Sequence, residues 1–295
     1  MKRILSILLS CLLLSGCSAS AEPAEIAATT LPVYEFTSRL CEGTPLSVTR
    51  LVTEEVSCLH DYSLNVRQVK AAEAAETVVI SGAGLEEFME DLLPEGTAID
   101  ASAGISLITP EEHHHHHHEE AEESHEGHHH AEDPHIWLSP ANASRMAENI
   151  SAGLSSRYPQ YEAAFEANLK ILRQDFAELE RYGKQQLEDL SCREIITFHD
   201  GFAYFAHSFD LEILRAVEEE SGSEASARDL IELIEEVEHH NLPAIFTEKS
   251  GSVSAAGIIA RETGCGSFPL DMAMAGDSYF EAMYHNIDTI KEALG

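Results

Sequence analysis

The sequence predicts an α/β fold of two lobes, each a parallel sheet covered by helices, joined by one long helix. Short β-branched and apolar runs alternate with helix-forming segments along most of the 295 residues, which is typical of parallel sheets. One central segment, residues 160–190, replaces this alternation with a continuous helical period. The hydrophobic share of the chain, 44%, is enough to fill a core in each lobe.

The first half of the chain supplies the N-terminal lobe. Its segment "LPVYEFTSRL" is interpreted as a strand end that runs into a helix. The segment "SGAGLEEF" lacks the Lys-Ser/Thr pair of a phosphate-binding loop and is interpreted as a tight strand-to-helix turn. Strands are predicted at residues 46–52, 77–82 and 98–108, and helices at residues 63–76, 84–93 and 139–159.

Residues 160–190 are predicted to form the linking helix. Its apolar residues are spaced by 4, 4, 3, 4 and 3 positions and form one stripe: Tyr161, Phe165, Leu169, Leu172, Phe176 and Leu179. About 25 helical residues give a rod of roughly 38 Å, about the width of a small domain. A rod of this kind should let the lobes tilt rather than swing widely.

The second half of the chain repeats the alternation. Strands are predicted in "EIITFH", "LEILRAV", "AIFTE" and "GSFPLD", and a helix-forming segment follows each of them. The predicted boundaries are therefore an N-terminal lobe of residues 30–158, a linking helix of residues 159–190 and a C-terminal lobe of residues 191–295.

The N-terminus has the features of an export signal. Lys2 and Arg3 precede an apolar run that is too short for a permanent membrane span. The signal segment, residues 1–17, ends in "LSGC", which resembles a lipobox and implies cleavage before Cys17 and lipidation of that cysteine. Residues 18–29 would then be a small, polar tether. The alternative is an ordinary secreted protein whose cleavage site happens to include a cysteine.

The charge of the chain excludes some partners. Lys and Arg number 18 and Asp and Glu number 52, a formal net charge of −34. Such a surface repels nucleic acid and anionic lipid headgroups. It attracts cations only diffusely, so acidity alone indicates solubility rather than a function.

Besides Cys17, the mature chain keeps four cysteines, and an exported protein can oxidise them. Pairing of Cys41 with Cys58 and of Cys192 with Cys265 would close one loop in each lobe, and free buried thiols are the alternative. No C-x-x-C occurs in the sequence, so neither a zinc ribbon nor a thioredoxin-type motif is indicated.

Three histidines, His60, His135 and His199, follow predicted strands or lie in the loops after them. The carboxyl ends of parallel strands are where open α/β sheets bind ligands. Each histidine has an aspartate within two positions, which can accept the second imidazole N–H or cap the next helix: Asp61, Asp133 and Asp200. Asp271, at the end of the last predicted strand, is a fourth candidate. Taken singly, each histidine is more typical of a hydrogen-bonded structural residue than of a ligand.

The segments "LHDYSLNVRQVKAAEAAE", "DPHIWLSPANASRMAENI", "TFHDGFAYFAHSFDL" and "GDSYFEAMYHNIDTIKEAL" resemble, in this order, the zinc-binding lipoproteins that serve metal ABC importers. The resemblance extends from about Thr30 to the C-terminus. It implies two lobes joined by a stiff helix, with the metal in the cleft between them. The ligands that it implies are His60, His135, His199 and Asp271.

The sequence departs from this family at one point. The family often has Glu-Pro before the first ligand histidine, whereas this chain has Cys58 and Leu59. The fourth ligand is therefore Asp271 or a water molecule. Manganese and iron members of the family have a glutamate where His199 stands, so a set rich in imidazole favours Zn²⁺, although copper, nickel and cobalt also accept imidazole.

A histidine-rich tract lies between a predicted strand and "DPHIWL". Unlike a purification tag, it is internal and surrounded by acidic residues, and the resemblance implies a His-rich loop here, residues 111–132. We interpret it as a native loop, too polar to pack, that collects Zn²⁺ weakly; a solvated spacer is the alternative. Its histidines are His113, His114, His115, His116, His117, His118, His125, His128, His129 and His130.

Together these features predict a monomeric lipoprotein on the outer face of the cell membrane that captures Zn²⁺ and delivers it to the membrane subunit of an ABC permease. No nucleic acid partner is expected. The alternatives are a receptor for manganese or another divalent metal, an adhesin-like lipoprotein, and a zinc hydrolase. No general base or nucleophile motif accompanies the histidines, so we expect no enzymatic activity.

Overall fold

The computed structural model describes residues 25–54, 56, 59, 62–93, 97–109, 132–217, 226–249 and 253–295. The predictions made for Cys17, for His60 and for the histidines of the tract fall outside these residues.

Two parallel sheets form the centres of two lobes, which confirms the predicted fold class. The strands are β1 (Ile26–Ala28), β2 (Val48–Arg50), β3 (Thr77–Ile80), β4 (Ala98–Asp100), β5 (Glu194–Thr197), β6 (Glu212–Ala216), β7 (Ala244–Glu248) and β8 (Gly266–Leu270). The first sheet has the order β2-β1-β3-β4 and the second the order β6-β5-β7-β8, and the pairs described are parallel. The two lobes therefore repeat one topology, in which the strand order reverses beside the first strand of each sheet.

Helices cover both sheets and connect the lobes. They are α1 (Leu31–Leu40), α2 (Val66–Ala74), α3 (Pro140–Arg157), α4 (Glu162–Gln186), α5 (Ala203–Ser208), α6 (Ala227–His240), α7 (Ser254–Thr263) and α8 (Tyr279–Leu294). Among the residues described, no helix combines the length and the apolar character that a bilayer crossing requires.

The N-terminal lobe begins earlier than the sequence predicts. Strand β1 lies inside the stretch predicted as a tether, residues 18–29, yet it is fully buried and pairs with both β2 and β3. The run "IAA" is too short to show a strand period, and its central place in the sheet comes from partners more than twenty and about fifty positions away in the chain.

Two predicted helices in this lobe also differ from the structure. The helix predicted at residues 63–76 is the shorter α2, which Asn65 caps through a reciprocal capping box with Gln68. The predicted helix at residues 84–93 is a shorter 3₁₀ helix, Glu87–Leu92.

The linking helix α4 has the predicted apolar face, with Phe165, Leu172, Phe176 and Leu179 buried along it. Through this face, α4 joins a hydrophobic core that is continuous between the lobes. The ring of Phe36 on α1 packs edge-on against Phe176, at 5.1 Å, and against Tyr279 on α8, at 5.0 Å. Because α1 belongs to the N-terminal lobe and α8 to the C-terminal lobe, wide separation of the lobes would expose this aromatic cluster to water.

The cysteines described carry free thiols, namely Cys41, Cys192 and Cys265. The pairing of Cys192 with Cys265 is therefore wrong. Cys192 precedes β5 and Cys265 precedes β8, and β7 lies between these two strands. The strands are therefore roughly 10 Å apart, which is more than the Cα–Cα limit of about 7 Å for a disulfide. The thiol of Cys41 is likewise free, and its predicted partner, Cys58, lies outside the described residues. Burial raises the pKa of Cys41 to about 12, so this thiol stays protonated.

The turn in "SGAGLEEF" is a strand-to-helix turn, as predicted, with positive φ at Gly82, Ala83 and Gly84. A Cβ on Gly82 would lie 2.0 Å from Asp100 Oδ1, so only glycine fits there. The buried carboxylate of Glu86 closes the turn by accepting hydrogen bonds from the backbone N–H groups of Ser81 and Gly82 and from the hydroxyl of Thr29. It thus ties together the carboxyl ends of β1 and β3.

Glu86 should make folding stability depend on pH. Burial raises its pKa to about 7, so between about pH 5 and pH 7 the folded protein keeps a proton that the unfolded chain releases. Stability from this group is therefore present at low pH and is lost as the pH rises through 7, by up to about 3 kcal/mol. Urea unfolding of the metal-free protein between pH 5 and pH 8 should show this decline, and Glu86→Gln should flatten it. An unchanged pH dependence in Glu86→Gln would exclude the effect.

Candidate metal site

The structure brings together two of the histidines that the sequence predicts as ligands. His135 precedes α3 in the N-terminal lobe, and His199 follows β5 in the C-terminal lobe. Their Nε2 atoms are 3.3 Å apart, and the ring planes are inclined at 88°. Each residue is only 2% exposed, so the two nitrogens face each other in a site that is largely shielded from water.

A carboxylate lies beside the other nitrogen of each ring. Asp133 Oδ1 lies 2.7 Å from His135 Nδ1, and Glu248 Oε1 lies 3.1 Å from His199 Nδ1. An ionised carboxylate can only accept a hydrogen bond, so the contact with Asp133 places the proton of a neutral His135 on Nδ1, and the nearby charge of Glu248 favours the same tautomer of His199. Both Nε2 lone pairs are then directed into the same gap, an arrangement that is repulsive unless a cation lies between them.

The separation of the two nitrogens matches one tetrahedral metal ion. Nitrogens bound to zinc at ~2.0–2.1 Å in tetrahedral geometry lie about 3.3–3.4 Å from each other. The measured Nε2–Nε2 distance is 3.3 Å. The pair therefore has the spacing of two adjacent ligands on a single ion.

Local backbone contacts position His135. Asp133 Oδ1 accepts from the backbone N–H of His135 at 2.9 Å as well as facing its ring, so the Asp-Pro-His segment closes on itself. The hydroxyl of Tyr204 donates to the carbonyl of Asp133 at 2.8 Å and accepts from the N–H of Ile108 at 2.9 Å. Tyr204 therefore fixes the chain on both sides of residues 110–131, next to the candidate ligand.

His199 is positioned by the end of its strand and by a close glycine. The hydroxyl of Thr197 donates to the carbonyl of His199 at 3.1 Å. A Cβ on Gly201 would lie 2.7 Å from Cδ2 of the His199 ring and 2.8 Å from the methyl group of Met272. Any side chain at position 201 would therefore push the imidazole away from its present position.

The carboxylate beside His199 is one that the sequence analysis missed. The neighbouring Asp200 was predicted either to face the His199 ring or to cap the next helix, whereas the carboxylate found 3.1 Å from Nδ1 belongs to Glu248. Glu248 ends β7, which lies next to β5 in the sheet, and it is buried. The signal that could have identified Glu248 is its position as the acidic last residue of the buried strand "AIFTE". The carboxyl ends of adjacent parallel strands meet at one edge of the sheet, so this carboxylate could be expected near a residue that follows another strand.

Asp271 occupies a different set of contacts. Its Oδ2 accepts from Lys249 Nζ at 3.1 Å, and its Oδ1 accepts from the N–H of Ala273 at 2.8 Å. Within the part of the chain that the structure describes, no three or more His, Cys, Asp or Glu side chains are arranged to hold a metal. The ligand roles of Asp271 and of His60 stay predictions.

The remaining histidines of the C-terminal lobe lie elsewhere. His207 and His240 line an open groove of about 1030 Å³ between the linking helix and the second sheet, and neither His135 nor His199 lines it. His240 Nδ1 instead lies 2.9 Å from Glu194 Oε2.

The repeated parallel lobes, the linking helix and the paired imidazoles define a two-lobed metal-binding protein of the solute-receptor class. Within that class the chain belongs to the ZnuA family, described as zinc-uptake complex component A, periplasmic, whose model matches residues 26–293. The family works with an ABC importer permease.

Known proteins similar to this chain include both sequences and structures. The zinc-binding lipoprotein AdcA of Streptococcus pneumoniae is 28% identical over 99% of this chain, which spans 61% of the length of AdcA. The crystal structure of a ZnuA superposes with a TM-score of 0.76 at 28% identity, covering 92% of this chain and 100% of that one. The Zn(II)-bound ZnuA-like domain of S. pneumoniae AdcA has a TM-score of 0.75 at 25% identity, covering 92% of this chain and 98% of the domain.

Proposed function

We propose that this protein is an extracytoplasmic receptor that captures Zn²⁺ and delivers it to an ABC import permease. The observation that carries the proposal is the pair of buried imidazoles, with Nε2 atoms 3.3 Å apart and both Nδ1 atoms facing carboxylates. Two neutral nitrogen donors, pre-oriented by carboxylates, suit a borderline cation such as Zn²⁺ better than the harder Mn²⁺. Membership of the ZnuA family supports the same metal.

The proposed coordination sphere contains His60, His135 and His199. Three imidazoles leave one position of a tetrahedral zinc ion, and Asp271 or a water molecule fills it. Recruitment of Asp271 requires that its carboxylate exchange the contacts with Lys249 and the N–H of Ala273 for the metal. A negatively charged fourth ligand would lower the net charge of the buried site, which favours this exchange.

The His-rich tract, residues 111–132, serves in this proposal as an auxiliary collector of Zn²⁺. The residues on either side of it, Ile108 and Asp133, are joined by a backbone hydrogen bond of 3.0 Å. The residues that flank the tract are therefore adjacent, and Asp133 lies two positions before His135, so weakly held ions would be released close to the tight site. The net charge of −34 adds a general attraction for cations.

The same proposal implies how the protein is attached to the membrane and that it has no enzymatic turnover. A lipid on Cys17 would hold the receptor, as a monomer, at the outer face of the membrane beside its permease. Turnover is not expected, because Asp133 and Glu248 both face imidazole Nδ1 atoms, where they cannot act as a general base toward a metal-bound water. The chain covers almost the whole ZnuA-like domain of AdcA, so the proposal concerns metal capture rather than any other activity of that longer protein.

Calorimetric titration with Zn²⁺ tests this proposal on the full chain and on a variant that lacks residues 111–131. We expect the full chain to show one tight site and several weaker ones, and the shortened variant to keep only the tight site. Titration with Mn²⁺ is the matched control and should give weaker binding to both proteins. Absence of a tight Zn²⁺ site from the full chain would refute the receptor proposal, whereas its loss from the shortened variant alone would refute the auxiliary role of the tract.

A further inference from the structure

Trp137 is the single tryptophan of the chain, and it lies two residues after His135. Its side chain is fully buried. The indole packs edge-on against the imidazole of His135, with ring centroids 5.3 Å apart and planes inclined at 62°. The indole of Trp137 therefore restricts the orientation of the His135 imidazole from one side.

The indole N–H of Trp137 connects the two lobes. It donates to the carbonyl of Met272 at 2.8 Å, in a buried hydrogen bond between residues 135 positions apart. Met272 follows Asp271, whose backbone N–H and carbonyl are both bound by the amide of the fully buried Asn286, at 2.7 Å each. The acceptor that Trp137 reaches is thus held firmly to α8.

Met272 also lies beside the second candidate ligand. Its methyl group and the ring of His199 both lie within 3 Å of the position that a Cβ on Gly201 would take. Met272 therefore contacts the His199 segment through its side chain and the His135 segment, by way of Trp137, through its carbonyl.

A second buried hydrogen bond fixes the backbone of Trp137. The phenol of Tyr279 donates to the carbonyl of Trp137 at 2.8 Å, and burial raises the pKa of Tyr279, so the phenol stays protonated and keeps donating. Tyr279 opens α8, and its own N–H donates to Glu35 on α1 at 2.6 Å. Trp137 is therefore held by the C-terminal lobe through both its side chain and its backbone.

We propose that Trp137 is a positioning residue of the metal site. Its hydrogen bonds to Met272 and from Tyr279 set the distance between the segment that carries His135 and the segment that carries His199. This inference rests on the proposed Zn²⁺ receptor function. In this inference, two hydrogen bonds of Trp137, together with the apolar packing of the shared core, determine how the two lobes are placed at the metal site.

The test measures Zn²⁺ affinity, by competition with a chromophoric chelator, in Trp137→Phe, Tyr279→Phe and the wild type. Trp137→Phe keeps an aromatic ring against His135 but leaves the Met272 carbonyl without its donor, and we expect binding to weaken about 10-fold or more. Tyr279→Phe should shift affinity in the same direction by a smaller factor. With Co²⁺ in place of Zn²⁺, both variants should show altered visible absorption bands, which report ligand geometry rather than stability.

Phe165→Leu is the matched control, because it truncates a fully buried ring of the shared core that packs against Tyr161 at the start of the linking helix. It should lower the melting temperature while leaving the Zn²⁺ affinity and the Co²⁺ spectrum unchanged. Wild-type affinity and spectra in both Trp137→Phe and Tyr279→Phe would overturn the inference, as would an equal loss of affinity in Phe165→Leu. If Trp137→Phe does not fold, the result for Tyr279→Phe decides. If the wild type itself binds no Zn²⁺, the receptor proposal fails. If the wild type and Trp137→Phe bind Zn²⁺ equally well, the receptor proposal stands and only the positioning role of Trp137 is refuted.

Discussion

Zn²⁺ binding is expected to weaken by more than about 100-fold when His199 is replaced with alanine. The substitution removes one of the two facing Nε2 donors and leaves the carboxylate of Glu248 buried without the imidazole that lies 3.1 Å from it. Chelator competition at neutral pH measures the affinity, and circular dichroism establishes that the variant is folded. His135→Ala should produce a loss of similar size, because in the proposed site the two histidines bind the ion from opposite lobes.

Two further variants separate ligand loss from other effects. Glu248→Gln keeps both Nε2 donors and removes only the charge that orients His199, so its loss should be smaller, about 10–100-fold. His285→Ala makes the same chemical change at an exposed position on α8 and should leave affinity unchanged. Retention of wild-type affinity by His199→Ala would show that the facing histidines do not form the tight site.

Saturating Zn²⁺ is expected to raise the melting temperature of the wild-type protein by about 8–16 °C. At a free concentration about 1,000 times the Kd, an ion that binds only the folded state contributes about 4 kcal/mol, and a chain of this size gains about 2–4 °C per kcal/mol. The metal-free protein should already be folded, because the apolar core continues from one lobe into the other through α4 without any metal. Differential scanning calorimetry with excess chelator and then with added Zn²⁺ measures both states.

The same experiment distinguishes a transported ion from a structural one. A receptor that must release its ion needs a stable metal-free form, whereas a structural metal is required for folding itself. Cooperative unfolding of the chelator-treated protein at a measurable temperature, followed by a large upward shift, is the expected result. A chelator-treated protein without a folding transition would instead indicate a structural metal, and the shift should be absent from His199→Ala.

Much of the architecture could be predicted because it is encoded in local patterns. The stripe that begins at Tyr161 predicted the linking helix, since period and length alone distinguish it from the shorter segments around it. The alternation after residue 190 predicted every strand of the second sheet in order. Strand β1 escaped prediction because three small apolar residues carry no period, and only pairing with β2 and β3 makes them a strand.

The residues of the candidate site can likewise be divided into those that a local pattern identifies and those that depend on the fold. The sequence could single out His135 and His199 as candidates because one lies in the loop segment "DPHIWL" and the other directly after a strand, and their ligand roles stay predictions. Glu248 was not, because nothing in the spacing of positions 199 and 248 indicates that β5 and β7 are neighbours. The proposed disulfide between Cys192 and Cys265 failed for the same reason, since the sequence did not reveal the strand between them.

The sequence by itself determined which chemical groups this protein offers a metal and on which kind of element each is placed, because helical and strand periods and strand-end positions are local properties. Only the tertiary structure decided that two of these imidazoles meet at 3.3 Å, that Glu248 rather than Asp200 faces His199, and that Trp137 binds the opposite lobe. These contacts depend on the order of strands in each sheet and on the packing of one lobe against the other. Both are set by burial of apolar surface summed over the whole chain, which no single segment specifies.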